Sequence, residues 1–453
     1  MSQISEGPLP SQIPPGPRLP GWVQTLAFAR APERFAAAAR RRHGDVVSFR
    51  QRGGPPAVVI FDPEVAAQAL RDSSASLRAG EARTERLGLL GRQSVLLLDG
   101  SAHARHRRLL LPLFHRQRVR RYEEVVRGAA DRAIDSWPVA EPFALMPSML
   151  SLTLDAIVRA VLGDRDDLVE RLRRHLPGAV GLSAPGGGGV RARLGVLRRR
   201  PPWVLRPLGA AGGRRVLDEL IDEEIELRRR APDLDRREDL LSMLMLARDE
   251  DGEPLSDGEL RDDVSTLLEA GHHTTGIALA WTFDLLLRHP PVFERLRARL
   301  SEGDEEYLNA VLKETLRVRP VVTHVQRLVG EEPFTLGQHV LPPGALLRVS
   351  IRDIHRRGDR FHQPDAFRPE RFFGADPPDA NAWLPFGGGP RRCLGASFAT
   401  FEIGIVLRRV LERTCLEPLG RRAARAEPMG NVLVPKNGVR VVQPRPPHSS
   451  GST

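Results

Sequence analysis

A chain of 453 residues with 41% hydrophobic and 28% charged side chains is long enough for one large domain or for two to three average ones, and wholesale disorder and collagen-like repetition are excluded. Lys and Arg total 68 against 57 Asp and Glu, a net charge of +11. The basic residues are spread among nearly as many carboxylates and aromatics reach only 5%, so a nucleic-acid surface of clustered cations and stacking platforms is excluded. Two cysteines cannot form a disulfide framework and fit a reducing, cytoplasmic compartment. Only Lys313 and Lys436 are lysines, a skew that, with 41 Gly and 39 Pro, points to a GC-rich bacterial coding sequence. No uninterrupted apolar run of about 18 residues predicts a membrane span, and the N-terminus lacks the basic and apolar regions of a signal peptide.

In chain order, residues 1–20 form a Pro-rich segment expected to run extended. A helix is predicted over 32–42 and short strands over 45–49 and 57–61. From about 63 to 320 the pattern is mostly helical. Within it, 165–212 is a Gly- and Pro-interrupted, arginine-rich insert, either a surface loop or a lid over a pocket. Ser256 and Glu259 make a capping box that opens a helix over 256–289, stopped by Pro290 and roughly 50 Å long. Strand-like pieces return at 321–328 and 345–350 around a Pro342-Pro343-Gly344 turn. A last long helix is expected over 396–413, and the tail 443–453 is expected to be disordered. The sum is a mainly α protein with a small β region.

The long helix carries an anomaly at its centre. Ala270-Gly271-His272-His273-Thr274-Thr275 is poor helix material set between apolar flanks, and a local rule broken inside a core helix marks a functional site. The second signal is Phe386-Gly387-Gly388-Gly389-Pro390-Arg391-Arg392-Cys393-Leu394-Gly395. A metal-binding thiolate needs nearby positive charge and backbone N–H donors. Glycines let the chain fold tightly around one sulfur, and a following helix N-terminus favours an anion. Phe386 can shield that sulfur and Arg391 can meet a ligand carboxylate. An inert Cys on a glycine turn would explain neither the arginine nor the glycine spacing. Cys415 lies in no motif.

The pattern F-x-x-G-x-R-x-C-x-G resembles, at every fixed position, the haem-binding signature of the cytochrome P-450 superfamily. The resemblance implies haem b with the thiolate of Cys393 as axial ligand to iron, in a loop that includes Phe386, Gly387, Arg391 and Gly395. It extends from about residue 15 to 440. Glu314-Thr315-Leu316-Arg317 is similar to the family's E-x-x-R pair, and Arg371 in Pro369-Glu370-Arg371-Phe372 would complete a buried structural charge triad with Glu314 and Arg317. Read without the resemblance, that pair is an ordinary helix-surface ion pair.

Ala270 to Thr275 resembles the family's oxygen-binding groove, which opens the helix beside the iron; Ala270 and Gly271 would line it and Thr274 would hydrogen-bond dioxygen. The family usually has an acid where His273 stands, so His273 either relays protons or only packs. Adjacent histidines point about 100° apart on a helix and do not make a zinc pair. His103 and Arg107, one turn apart, resemble the H-x-x-x-R helix whose side chains meet a haem propionate; alone they read as a solvated basic face. Arg327 is a candidate for the other propionate, and His355 has no assignable role.

Taken together, the resemblance implies a single haem-thiolate monooxygenase domain over 21–442, with haem between the helix at 256–289 and the one at 396–413. It would insert one oxygen atom from O2 into an apolar small molecule: a terpenoid or fatty acyl chain ahead of a polyketide, in secondary metabolism. Trp203, Leu205 and Leu208 in the insert point to that apolar ligand, and the family's habit makes 165–212 a substrate lid. Electrons would come from NAD(P)H only indirectly, through a separate ferredoxin reductase and ferredoxin. Arginines at 105–108, 116–121 and 391–392 would face the acidic ferredoxin. Two other readings remain: a peroxide-driven haem-thiolate peroxygenase and a non-catalytic haem-binding protein.

Overall fold

A computed structural model of the chain describes residues 13–50, 55–72, 76–86, 90–179, 208–374 and 378–445. Two helices open it, α1 (Gly21–Arg30) and α2 (Pro32–His43). Ahead of them the described part of the Pro-rich stretch, residues 13–20, meets the first strand: the Pro15 carbonyl accepts the Ser48 N–H at 3.0 Å, and the Gln24 amide donates to Pro17 and Leu19 carbonyls. Strands β1 (Val46–Phe49) and β2 (Ala57–Ile60) pair antiparallel, with Val46 opposite Ile60. α3 (Pro63–Arg71) follows, its start capped by Asp62 accepting from the Val65 N–H.

The five-stranded sheet has the order β1-β2-β8-β5-β3, where β3 is Leu77–Arg78, β5 Val325–Val329 and β8 Leu346–Val349. β8 runs parallel to β2 and antiparallel to β5. The strand expected over 321–328 starts four residues late. Residues 321–324 pair elsewhere, on the hairpin of β10 (Ala426–Met429) and β11 (Val432–Pro435): Val322 bridges Val432 and the Thr323 N–H donates to the Asn431 carbonyl at 2.8 Å. Smaller pairings complete the β portion: β4 (Pro142–Ala144) with β12 (Arg440–Val442) and β9 (Glu417–Pro418), and β6 (Phe334–Leu336) with β7 (His339–Leu341).

The helical part comprises α4 (Gly100–Leu110), α5 (Glu123–Asp135), α6 (Leu145–Leu162), α7 (Asp166–Ala179), α8 (Leu208–Arg229), α9 (Leu240–Leu246), α10 (Asp257–Leu287), α11 (Pro290–Ser301), α12 (Glu306–Val318) and α13 (Ala396–Arg413). The capping box forms as expected, with Ser256 accepting from the Glu259 N–H and the Glu259 side chain returning to the Ser256 N–H. At 31 residues, α10 is roughly 46 Å long. α6 is long and apolar enough to cross a membrane by length and composition, and 72% of it is buried inside the protein, where it packs along α10 as a core helix. The insert at 165–212 begins as α7 and ends as the start of α8. Trp203, Leu205 and the side chain of Leu208 lie outside the described residues.

α10 crosses two apolar cores. Its N-terminal part, Leu260 to Leu268, packs with α6, α7, α8 and α9. Its C-terminal part, Ile277 to Leu286, packs with α5, α6, α12 and α13. The polar centre at 269–276 therefore sits where the two cores meet.

Candidate active site

The cysteine loop is shaped by close approach. Gly389 has φ +62°, and a Cβ there would lie 1.9 Å from the Leu70 carbonyl oxygen at the end of α3. Only a residue without a side chain fits that contact. The loop closes with the Cys393 N–H donating to the Phe386 carbonyl at 2.9 Å, and Phe386 packs edge-on to Trp383. Gly395 is the N-cap of α13, and a Cβ at Gly395 would meet nothing within 4 Å. Cys393 keeps an exposed side chain in protein surroundings dense enough to desolvate its thiol. Burial pushes its thiol up, against the Gly395 N–H, Arg392 and Arg107, which favour the thiolate. A metal cation that bonds the sulfur completes that balance.

Beside this loop lies a cluster of cations. Arg391 donates to the carbonyls of Val95 and Leu98 and pairs with Asp99. Asp99 also accepts the N–H groups of Ala79, Gly80 and Glu81 at 2.8–2.9 Å. His103 is buried, and burial, Arg391 and Arg107 hold it down at about 4, a neutral imidazole. Arg107 donates to the Arg392 carbonyl at 2.8 Å and so braces the cysteine loop directly.

Arg327 is the revealing member. It is 4% exposed, its hydrogen bond is to the Gln326 carbonyl, and among the described residues no carboxylate pairs with it. Burial, Arg83 and Arg391 push it down to about 9. A buried guanidinium without an anion is costly. The chemistry of this donor set fits a group that brings its own carboxylates, and an iron porphyrin with two propionates satisfies both the cations and the sulfur.

In the centre of α10 the helix runs unbroken from Asp257 to Leu287, so the expected opening of the helix is absent. The Thr274 hydroxyl donates to the Ala270 carbonyl at 2.7 Å, and Ala270 is exposed. Gly271 has a packing role: a Cβ there would touch Ile157 of α6 at 3.0 Å, and the Thr153 hydroxyl of α6 donates to the His272 carbonyl at 2.9 Å. The two imidazoles contact each other, with ring centroids 3.8 Å apart, closer than a 100° separation on a helix suggests. His272 is buried and held neutral by that burial and by His273; His273 is half-buried.

Glu314, Arg317 and Arg371 meet in one ion-pair network. Glu314 and Arg317 are both 0% exposed and joined by a double hydrogen bond at 2.7 and 2.8 Å. Arg371 adds a third contact to Glu314 at 3.0 Å. Arg317 also donates to the carbonyls of His355, Pro364 and Ala366. His355, which carried no role in the sequence, links this network to the cysteine segment. Its Nε2 accepts the Leu384 N–H at 2.8 Å, two residues before Phe386. Complete burial pushes it down to about 3, so it stays neutral with its proton on Nδ1.

Of the arginines expected on a basic docking face, several are otherwise engaged. Arg105 pairs with Asp249 and Glu259, Arg108 with Glu250 and Arg121 with Glu238, Arg107 braces the cysteine loop, and Arg391 is turned inward. The cations that line a surface groove behind the cysteine loop are Lys313, Arg116, Arg120, Arg127, Arg392, Arg408 and Arg409, around a cavity of about 730 Å³ that also holds Glu123, Glu305, Glu306 and Glu412.

A mainly α fold that sets a cysteine on a glycine-shaped loop beside an anion-seeking cluster is that of a haem-thiolate oxidoreductase. Comparison with known proteins gives the family. The family model described as Cytochrome P450 matches residues 14–442. The chain is 36% identical to cytochrome P450 138 of Mycobacterium tuberculosis over 98% of its own length and 99% of the relative's. It is 37% identical to cytochrome P450 135B1 of the same organism, over 95% of its length and 91% of the relative's. Among solved structures it is similar in fold to the retinoic-acid-bound cyanobacterial CYP120A1, with a TM-score of 0.80 at 24% identity, covering 95% of this chain and 99% of that one. The haem domain of cytochrome P450DA aligns equally well, at 22% identity. The chain belongs to the cytochrome P450 family, monooxygenases that carry haem on a cysteine thiolate and use O2.

Proposed function

We propose that this protein is a haem-thiolate monooxygenase in which Cys393 ligates the iron of haem b and one oxygen atom of O2 enters an apolar small molecule. Terpenoid or fatty acyl substrates are favoured over polyketides, within bacterial secondary metabolism in the cytoplasm. The observation that carries the reading is the buried Arg327, which no carboxylate among the described residues pairs with, in one cation cluster with Arg391 and His103 beside the cysteine loop.

Haem held on the thiolate would supply the chemistry of dioxygen activation. The chain's own groups do the rest. Arg327, Arg391, Arg107 and the neutral His103 would hold the propionates by charge and hydrogen bonds. Phe386 and Trp383 keep water from the sulfur. The Thr274 hydroxyl, fixed by its donation to the Ala270 carbonyl, presents its oxygen as an acceptor at the junction of the two cores. His273, the titratable neighbour of Thr274, passes the proton on. The groove lined by Arg116, Arg120 and Arg392 takes an acidic ferredoxin, which is reduced from NAD(P)H by its own reductase.

The deciding experiment is the carbon monoxide difference spectrum of the dithionite-reduced protein. A strongly red-shifted Soret band is expected. A band where histidine-ligated haem absorbs, in folded protein, would remove Cys393 as ligand. Terpenoids, fatty acids and polyketides are then screened on the same sample for substrate-induced spin shifts. Product should form with NADPH, ferredoxin reductase and ferredoxin; product with hydrogen peroxide alone would make the protein a peroxygenase instead.

A further inference from the structure

Asp262 and Asp263 are adjacent on α10 and almost wholly buried, at 4% and 0% exposure. Each accepts a backbone N–H from one segment that precedes α4: Gln93 donates to Asp262 at 2.9 Å and Val95 to Asp263 at 2.8 Å. Between them the Ser94 hydroxyl shares a 2.6 Å hydrogen bond with the Thr266 hydroxyl, one turn along α10. The fit requires a glycine: Gly91 has φ +77°, and a Cβ there would lie 2.0 Å from the Asp262 carboxylate.

Two neighbouring buried carboxylates repel and are costly unless their oxygens are held. Here each is shared between a backbone N–H and a side chain from a further element. Arg214 of α8 donates to Asp262 at 2.8 Å. His106 of α4 stands 2.7 Å from Asp263 through Nδ1 and 3.0 Å from Glu259 through Nε2. The same segment, on its way into α4, supplies the partners of Arg391: the Val95 and Leu98 carbonyls and the Asp99 carboxylate. Val95 thus gives its N–H to α10 and its carbonyl to the arginine of the cysteine loop.

We propose that Asp262 and Asp263 are positioning residues: they clamp segment 91–95 onto α10 and, through the carbonyls of Val95 and Leu98, set where Arg391 points. α8 enters the same clamp through Arg214. The clamp stands on the hydrogen bonds themselves; its consequence for the cofactor rests on the reading of Arg391 as a haem-facing cation.

Amide hydrogen exchange and haem transfer to apomyoglobin, both on the haem-loaded protein, test the two parts separately. In the unsubstituted protein the Gln93 and Val95 amides should exchange at least ~100-fold slower than free amides; free exchange there overturns the clamp even if no variant folds. Asp263→Asn and Asp262→Asn should speed exchange across 93–99 by about tenfold or more and speed haem transfer several-fold. Unchanged protection in variants that keep the red-shifted carbon monoxide band overturns the clamp. Lost protection with unchanged haem transfer, while Arg391→Lys does speed transfer, overturns the link to Arg391. If Arg391→Lys leaves transfer unchanged as well, it is the haem-facing reading of Arg391 that fails.

Discussion

The three consecutive glycines ahead of Cys393 occupy sterically different positions, so alanine at each should give a graded series. At Gly388 the backbone is extended, with φ −156°, and a Cβ would reach only the Leu70 side chain at 3.3 Å. The reduced freedom of the unfolded chain, about 0.4–1 kcal/mol, roughly offsets that contact, and Gly388→Ala should be near neutral. Gly387 has φ +67° with open space around its Cβ position, so Gly387→Ala carries only the left-handed backbone cost of about 1–2 kcal/mol. Gly389 combines φ +62° with a Cβ position 1.9 Å from a backbone oxygen, which forces the loop to move by about 1 Å and adds a packing cost of about 1–3 kcal/mol. At roughly 2 °C per kcal/mol for a chain of this size, the thermal midpoint should fall by about 2–4 °C at Gly387 and about 4–10 °C at Gly389. The fraction of haem with the thiolate carbon monoxide band should fall in the same order. A Gly389→Ala protein matching Gly388→Ala in both midpoint and band would refute the argument that close approach to Leu70 shapes the cysteine loop.

Arg327→Leu should act in opposite directions with and without cofactor. Removing a buried cation that no carboxylate among the described residues pairs with should raise the midpoint of the haem-free chain, while haem should leave the loaded protein several-fold faster; a haem-free variant less stable than its parent contradicts the assignment. His106 should give stability a pH dependence of definite sign. Burial alone would lower its pKa, but the hydrogen bonds and charges of Asp263 and Glu259 outweigh it and raise the value above 6.5. Its contribution is therefore complete below pH 6.5 and is lost as pH rises through the raised folded value. The midpoint difference between the parent and His106→Gln should be largest in acid and shrink in alkali, and a difference that grows with pH would show that His106 is neutral when folded. Thr274→Ala should leave the carbon monoxide band intact and uncouple oxygen consumption from product formation; full coupling in the variant would remove Thr274 from proton handling.

The features legible in the sequence were those whose physics is local. Ser256 and Glu259 lie three residues apart and cap α10 whatever surrounds them, and Glu314 and Arg317 face each other on one helix turn. The glycine spacing before Cys393 is likewise a backbone constraint written at consecutive positions. Residues 321–324 carry the same β-branched pattern as a strand, yet they pair with the β10–β11 hairpin, a choice that rests on where Asn431 and Val432 are brought more than 100 residues later. The backbone carbonyl of His355 takes its role from Arg317 and its ring takes its role from Leu384, neither of which marks the histidine in sequence.

The same distinction explains why the centre of α10 reads as weak helix in sequence but runs whole in three dimensions. Gly271 and Gly276 weaken a helix considered alone, but a Cβ at either would meet Ile157 or Leu150 of α6 at about 3 Å. The glycines let α6 approach closely, and the Thr153 hydroxyl uses that proximity to bond the His272 carbonyl. Burial on both sides of the junction then holds the helical backbone through His272, His273 and Thr274, whose side chains favour caps and turns when isolated. The polar centre is thus kept helical by its neighbours, and that fixes the Thr274 hydroxyl on the Ala270 carbonyl. Enlarging Gly271 should consequently disturb the Thr274 site as well as the packing: Gly271→Val should lose coupling together with stability, whereas Gly404→Ala on α13, where the nearest atom lies at 3.6 Å, should leave coupling intact and stabilise by about 0.4–1 kcal/mol.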